Sequence, residues 1–176
     1  PWPGKPLPDE YDLLIYAKNG HGPQLLEHLA EVFPRHIQIH YGQYQREQLF
    51  EAARRSRACA YLADDDHGPL ALQEILLAGC PTVGVRTGAS FVRTGETGVL
   101  VDRLPPGEAS ITSEQDAKAL DAFLEGIHAA QHLERHTVRA LAAEQFAAGG
   151  IVEAVIAALA RLRETAKSQR GRIQSG

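Results

Sequence analysis

The residues with the most chemical content lie between Asp64 and Glu74. Three consecutive carboxylates, Asp64, Asp65 and Asp66, run into His67, Gly68 and Pro69. A helix is predicted over Pro69–Ala78, with proline in its first turn and Gly79 closing it. The start of a helix offers free backbone N–H groups and the positive end of the helix dipole, which suits a phosphate. Gly68 lets a ligand approach the backbone closely. Glu74 lies about two turns into the helix, where its carboxylate could accept hydrogen bonds from ligand hydroxyls. This spacing gives a ligand hydroxyl at Glu74, a phosphate at the N–H groups near Leu70 and Ala71, and a polar group at Asp66. Two other readings stand beside it. The three aspartates with His67 could hold a divalent cation, or they form a solvated acidic loop. Read by itself, Lys18 could be an ordinary solvated lysine. Tyr44, just past Gly42, could stack on a planar base or simply pack.

Placing these residues together requires particular elements. Tyr11–Ala17 is a short apolar run and reads as a buried strand. After Gly22-Pro23, Leu25, Leu26, Leu29, Val32 and Phe33 recur at helical offsets. His36–Tyr41 alternates Ile37, Ile39 and Tyr41, a strand ending at Gly42; His36 and His40 share its other face and read as structural. Gln45–Arg57 is a helix with Leu49, Phe50, Ala52 and Ala53 on one side. Ala58–Ala63, Pro81–Val85 and Gly98–Val101 are further strands. Alternating strands and helices with short connections predict an α/β fold, a doubly wound parallel sheet of Rossmann-like type. In such sheets ligands bind beyond the carboxyl ends of the strands, where the loop Asp64–Gly68 falls.

Beyond the sheet, Ser113 and Asp116 form a capping pair. Leu120, Phe123, Leu124 and Ile127 follow at helical spacing. Two more helices are expected over Arg135–Ala148 and Ile151–Thr165, broken by Gly149-Gly150. The organisation is therefore a proline-rich linker over residues 1–10, one Rossmann-like domain over 11–166 with extra C-terminal helices, and a basic flexible tail over 167–176. Arg161, Arg163, Lys167, Arg170 and Arg172 make this end basic. It is expected to be solvated or to touch an anionic membrane surface.

At 176 residues the chain can bury a real core. A net charge of −4 argues against general nucleic-acid binding. No apolar run is long enough to span a bilayer, and no signal peptide opens the chain, which points to a cytoplasmic protein. Cys59 and Cys80 read as buried thiols of a reducing compartment. No Ser–His–Asp order, CxxC pair or P-loop supports hydrolase, redox or NTPase chemistry. The absence of methionine and the four prolines among the first eight residues raise the expectation of a further domain upstream.

The order Asp66-His67-Gly68-Pro69-Leu70-Ala71-Leu72-Gln73-Glu74, then Ala78-Gly79-Cys80-Pro81-Thr82-Val83, resembles the retaining family-4 glycosyltransferases of the GT-B fold. Their signature is an acid, seven residues and a glutamate, followed by a Gly-x-Pro strand entry. Gly88 and Gly95-Glu96-Thr97-Gly98-Val99-Leu100-Val101 resemble the downstream glycine-rich loop and strand. The likeness covers roughly Tyr11–Asp102. It implies the C-terminal, donor-binding half of a two-domain transferase, acting on a nucleotide-diphosphate sugar and a glycan or lipid-linked acceptor. Asp66 and Glu74 would be the catalytic acids, Asp66 near the donor sugar and Glu74 at the ribose. Lys18, Gly42, Tyr44, Gly68, Pro69, Leu70 and Ala71 would complete the donor site. No metal and no other cofactor would be needed, and an N-terminal domain would be the partner. The chain departs from the pattern at three places. His21 stands near the second of two basic positions, Ser90 where an acid is expected, and one strand–helix unit is missing between Phe33 and Gly42. These departures leave a non-catalytic nucleotide- or sugar-phosphate-binding module as the second reading.

Overall fold

The computed structural model describes residues 4–18, 23–105 and 113–147. Five strands and five helices occur among them: β1 Tyr11–Ala17, α1 Pro23–Val32, β2 His36–His40, α2 Arg46–Arg55, β3 Ser56–Leu62, α3 Leu70–Leu77, β4 Thr82–Val85, β5 Gly98–Val101, α4 Glu114–Gln131 and α5 Arg135–Gln145. All strand pairs are parallel, in the order β2-β1-β3-β4-β5. The chain leaves β1 toward one edge, through α1 to β2. It then crosses back through α2 to β3 on the other side of β1. That reversal makes the sheet doubly wound and opens a crevice between the carboxyl ends of β1 and β3. The sheet is therefore the α/β, Rossmann-like one that the alternating pattern predicts.

Strand alternation sorts the apolar residues to two faces. Leu13 and Ile15 of β1, Ala58, Ala60 and Leu62 of β3, and Val83 and Val85 of β4 share a core with Leu25 and Leu29 of α1 and Leu120, Phe123 and Ile127 of α4. Leu14, Tyr16, Cys59 and Tyr61 are buried on the opposite face, where α2 packs on β1 and β3 and lies beside α3. Full burial of a side chain such as Phe123 stabilises the fold by roughly 2–3 kcal/mol. Both cysteines are free and buried. Burial raises the Cys59 thiol well above its usual value and pushes Cys80 up to about 12, so neither is a ready nucleophile.

Several boundaries are tighter than periodicity suggests. α2 stops at Arg55 because β3 begins at Ser56, whose hydroxyl donates to the Ala52 carbonyl at 2.7 Å. α3 begins at Leu70, with Pro69 as its cap residue. The Ser113 hydroxyl accepts from the Asp116 N–H at 3.1 Å, the capping pair expected at α4. Residues Phe33–Arg35 join α1 directly to β2, which forms one edge of the sheet. The helix expected over Ile151–Thr165, the basic tail and His21 lie outside the described residues.

The proline-rich segment expected to act as a linker runs, over Gly4–Glu10, against the amino-terminal edge of the sheet. The Leu7 N–H donates to the Arg54 carbonyl (2.7 Å) and the Glu10 N–H to the Arg55 carbonyl (2.9 Å). Arg135 gathers this segment and the ends of two helices. Its guanidinium donates to the carbonyls of Leu7 (2.9 Å), Gly79 (3.2 Å), Ala53 (3.3 Å) and Arg54 (2.5 Å), and to the Asp9 carboxylate. Carbonyls at helix ends have no partner within the helix, and a part-buried cation suits them. The chain divides after Ala142. The first unit, Pro1–Ala142, carries the sheet; the described part of the second is residues 143–147, the close of α5 and the two residues after it. No helix among the described residues is long and apolar enough to cross a membrane.

Candidate functional site

Short, buried, parallel strands end together, so the loops after β1, β2 and β3 meet at one rim. Between them lies a cleft of about 620 Å3, lined by Tyr16, Lys18, Tyr41, Gly42, Tyr44, Arg46, Asp66, Gly68, Leu70, Ala71 and Glu74. It sits at the β1/β3 reversal, where sheet topology favours a ligand. Eight of the nine residues singled out for the site line it; Pro69 is buried behind them as the cap of α3.

The two acids differ in setting. Asp66 is 7 % exposed. Its Oδ1 lies 2.7 Å from the Lys18 ammonium, and its Oδ2 accepts from the Tyr61 hydroxyl at 2.7 Å. Burial raises the carboxyl's pKa, but Lys18 and Tyr61 outweigh it, so Asp66 lies below the usual aspartate value and is ionised. Burial, followed by the hydrogen bond to Asp66, raises the Tyr61 phenol, which remains a donor. Asp66 therefore fixes the Lys18 side chain, which also lies 5.1 Å from the centre of the exposed Tyr41 ring. Glu74 is nearer solvent and pairs with Arg46, whose Nε lies 2.5 Å from its Oε1. Arg46 is the first residue of α2.

The back wall is aromatic. The Tyr16 and Tyr61 rings stack with centroids 5.0 Å apart, and Tyr44 meets Tyr16 edge-on, their hydroxyls 3.4 Å apart. Burial, then the Tyr44 hydroxyl, raises the Tyr16 phenol. On the rim, Tyr41 and Leu70 are two of the three exposed large apolar side chains among the described residues.

The start of α3 forms the floor. Pro69 offers no side-chain cap, and the first turn carries no acid. The Leu70 N–H turns back to the Gly68 carbonyl at 2.7 Å, and the first helical bond runs from Gln73 to Pro69 at 3.1 Å. Helix geometry leaves the N–H groups of Ala71 and Leu72 without an intrahelical acceptor. A Cβ on Gly68 would meet nothing within 4 Å, so the approach is open. Lys18–Asp66 and Arg46–Glu74 each balance their own charge, which leaves the helix dipole as the net attraction for an anion.

The three aspartates do not converge. Asp66 is buried, whereas Asp65 is exposed and lies 3.3 Å from the exposed His67. Among the described residues no group of three or more His, Cys, Asp or Glu side chains is arranged to hold a metal. The loop after β4 is latched beneath: the Asp66 N–H donates to the Thr87 carbonyl at 3.1 Å, and the Thr87 hydroxyl to the Asp64 carbonyl. Ser90 is exposed and does not line the cleft.

Sequence reasoning passed over Arg46, Tyr16, Tyr41 and Tyr61. The available signal for Arg46 was its place at the first turn of the helix after Gly42, which aims it at the same rim. The tyrosines read only as strand residues.

No protein-family model matches the chain, and no curated protein matches its sequence. Solved structures do. The fold is similar to that of AviGT4, a glycosyltransferase involved in avilamycin A biosynthesis, with a TM-score of 0.50 and 14 % identity over 88 % of this chain and 52 % of that one. It is also similar to the GtfA/B complex, with a TM-score of 0.53 and 15 % identity over 93 % of this chain and 38 % of that one. The chain thus spans about half or less of these structures. At such identities the likeness is one of fold.

Proposed function

We propose that this chain is the nucleotide-sugar-binding part of a GT-B glycosyltransferase that transfers a sugar with retention to a glycan or lipid-linked acceptor. The observation that carries this reading is the cleft at the β1/β3 reversal. It brings the uncapped start of α3, the Lys18 ammonium and the Glu74 carboxylate into one cavity of about 620 Å3. The fold likeness to a glycosyltransferase supports it.

In this reading the diphosphate sits at the Ala71 and Leu72 N–H groups, with Lys18 beside it. Backbone dipoles act here without reorganising, so they stabilise charge that develops on a departing diphosphate, and the chemistry requires no metal. Glu74 accepts hydrogen bonds from the ribose through Oε2, while Arg46 holds Oε1. Gly42 and Tyr44 border the base. Asp66 acts from beneath, as the residue that positions Lys18. The acceptor site and the rest of the reacting geometry belong to a second domain, and the chain works as a cytoplasmic protein. One observation favours a binding module without catalysis: both oxygens of Asp66, the acid assigned nearest the sugar, are taken up by Lys18 and Tyr61.

Calorimetric titration with UDP, GDP and ADP, with and without EDTA, tests the proposal. Binding of one nucleotide, insensitive to EDTA and weakened about tenfold or more in Glu74→Ala, is expected. No binding to any of the three would reduce the reading to a likeness of fold.

A further inference from the structure

We propose that this chain forms a symmetric dimer in which β2 pairs antiparallel with β2 of a second copy, about a two-fold axis at Gln38. β2 is an edge of the sheet. The Arg35 carbonyl accepts from the Asp12 N–H (2.6 Å) and the Tyr41 N–H donates to the Ala17 carbonyl (2.9 Å), so the odd-numbered residues turn their polar groups toward β1. By alternation, the N–H and C=O of His36, Gln38 and His40 point away from the sheet. The His40 carbonyl closes a turn with the Gln43 N–H at 3.0 Å. Among the described residues β1 is the only strand that pairs with β2.

β2 reads the same in both directions: His36-Ile37-Gln38-Ile39-His40. With the axis at Gln38, the outward groups of the two copies meet as hydrogen-bonded pairs. Two bonds join the Gln38 residues, and each His40 N–H reaches the other copy's His36 carbonyl. Ile37 of each copy then lies opposite Ile39 of the other. A shift of one residue would put the isoleucines opposite the polar face, and a shift of two would lose the central pairs.

The flanking surface agrees. α2 packs over β1 and β3 rather than over the edge, leaving a groove of about 580 Å3 between Ile37, Ile39 and the α2 residues Gln48, Ala52 and Arg55. A second copy makes the two isoleucine pairs continuous across the axis.

Edge strands are commonly protected by charges, prolines or bulges. β2 has no charged residue besides histidine and no proline. The opposite edge is blunted: the Leu100 N–H of β5 donates to the Thr94 hydroxyl at 3.1 Å, and Thr94 bridges to Gly98. An unprotected edge that complements itself fits a second copy of this chain as its partner. Five residues a side bury less than a standard interface, so the dimer is weak and reversible. Because the paired strands run in opposite directions, the two clefts open at opposite ends.

Sedimentation of the 176-residue chain from about 1 to about 500 μM tests this, read with amide hydrogen exchange. A reversible monomer–dimer equilibrium is expected, with the Gln38 and His40 amides protected as concentration rises. Gln38→Pro removes an outward N–H that the β1 ladder does not use, and Gln38→Lys sets two like charges at the axis. Each should weaken the dimer about 30-fold or more, with an unchanged thermal midpoint of the monomer. A chain monomeric throughout, a dimer that survives both variants, or a dimer without protection at these amides would overturn the proposal.

Discussion

The Asp66 carboxylate and the Lys18 ammonium lie 2.7 Å apart, across the crevice where the sheet reverses direction. Lys18 follows β1 and Asp66 follows β3, so the pair clamps the loops of two adjacent strands. With Tyr61 on its other oxygen, Asp66 is a buried charge whose partners are all supplied by the fold.

This clamp makes stability depend on acid. The folded pKa of Asp66 is lowered, so its contribution is fully present above the ordinary value of 3.8 and is lost as pH falls through the lower folded value. Glu51 and Glu134, also lowered, add to the same slope. Asp66→Asn should cost about 2 kcal/mol at neutral pH and flatten the acid limb of the unfolding curve. Thermal unfolding between about pH 2 and pH 6 checks it; an unchanged slope in the variant would assign the acid sensitivity to other groups.

Arg46 and Glu74 should act as a unit in ligand binding. Arg46 is more than half exposed, so the pair adds little to folding, and Arg46→Ala should leave the thermal midpoint nearly unchanged. Nucleoside diphosphate affinity should fall about fivefold in Arg46→Ala and about tenfold or more in Glu74→Ala. The double variant should bind like Glu74→Ala alone, because Arg46 acts through Glu74. Additive losses in calorimetry would mean that Arg46 contacts the ligand independently.

Arg135 should be a stability determinant that lysine cannot replace. Its planar guanidinium serves four carbonyls in different directions, a geometry a single ammonium does not reproduce. Arg135→Ala is expected to cost about 3 kcal/mol and Arg135→Lys nearly as much. Urea unfolding measures both, and full rescue by lysine would show that charge alone matters.

Glycines should separate by cause. A Cβ at Gly88 would lie 1.7 Å from the Ala63 carbonyl oxygen, so Gly88→Ala must force the β3 and β4 loops apart, at about 3 kcal/mol or more. At Gly42 a Cβ meets nothing within 4 Å, and only the φ of +76° opposes it. Gly42→Ala should therefore cost about 1 kcal/mol. Equal effects in denaturant unfolding would contradict the close approach at Gly88.

The site was readable in the sequence where one local signal sufficed. Gly68-Pro69 before an apolar helix announced the helix start that borders the cleft, and Glu74 followed from helical spacing. Gly42 and Tyr44 followed from the rule that ligands meet strand ends, and Lys18 from the basic position that the family resemblance implies after the first strand. Arg46 was hidden because its partner is 28 residues away. Tyr61 was hidden because a tyrosine in a buried strand looks the same whether its hydroxyl is idle or holds Asp66.

The sequence by itself determined the elements, their alternation and hence a parallel, doubly wound sheet, because hydrophobic period and turn residues are local properties of the chain. Tertiary structure alone decided the order β2-β1-β3-β4-β5 and thus where the crevice opens. Apolar strands of similar length carry no label for their neighbours. The division of labour between the two acids was also decided there. Asp66 became a buried anchor for Lys18 and Glu74 the part-buried partner of Arg46, because burial and ion pairing depend on residues far along the chain, which spacing alone does not bring together.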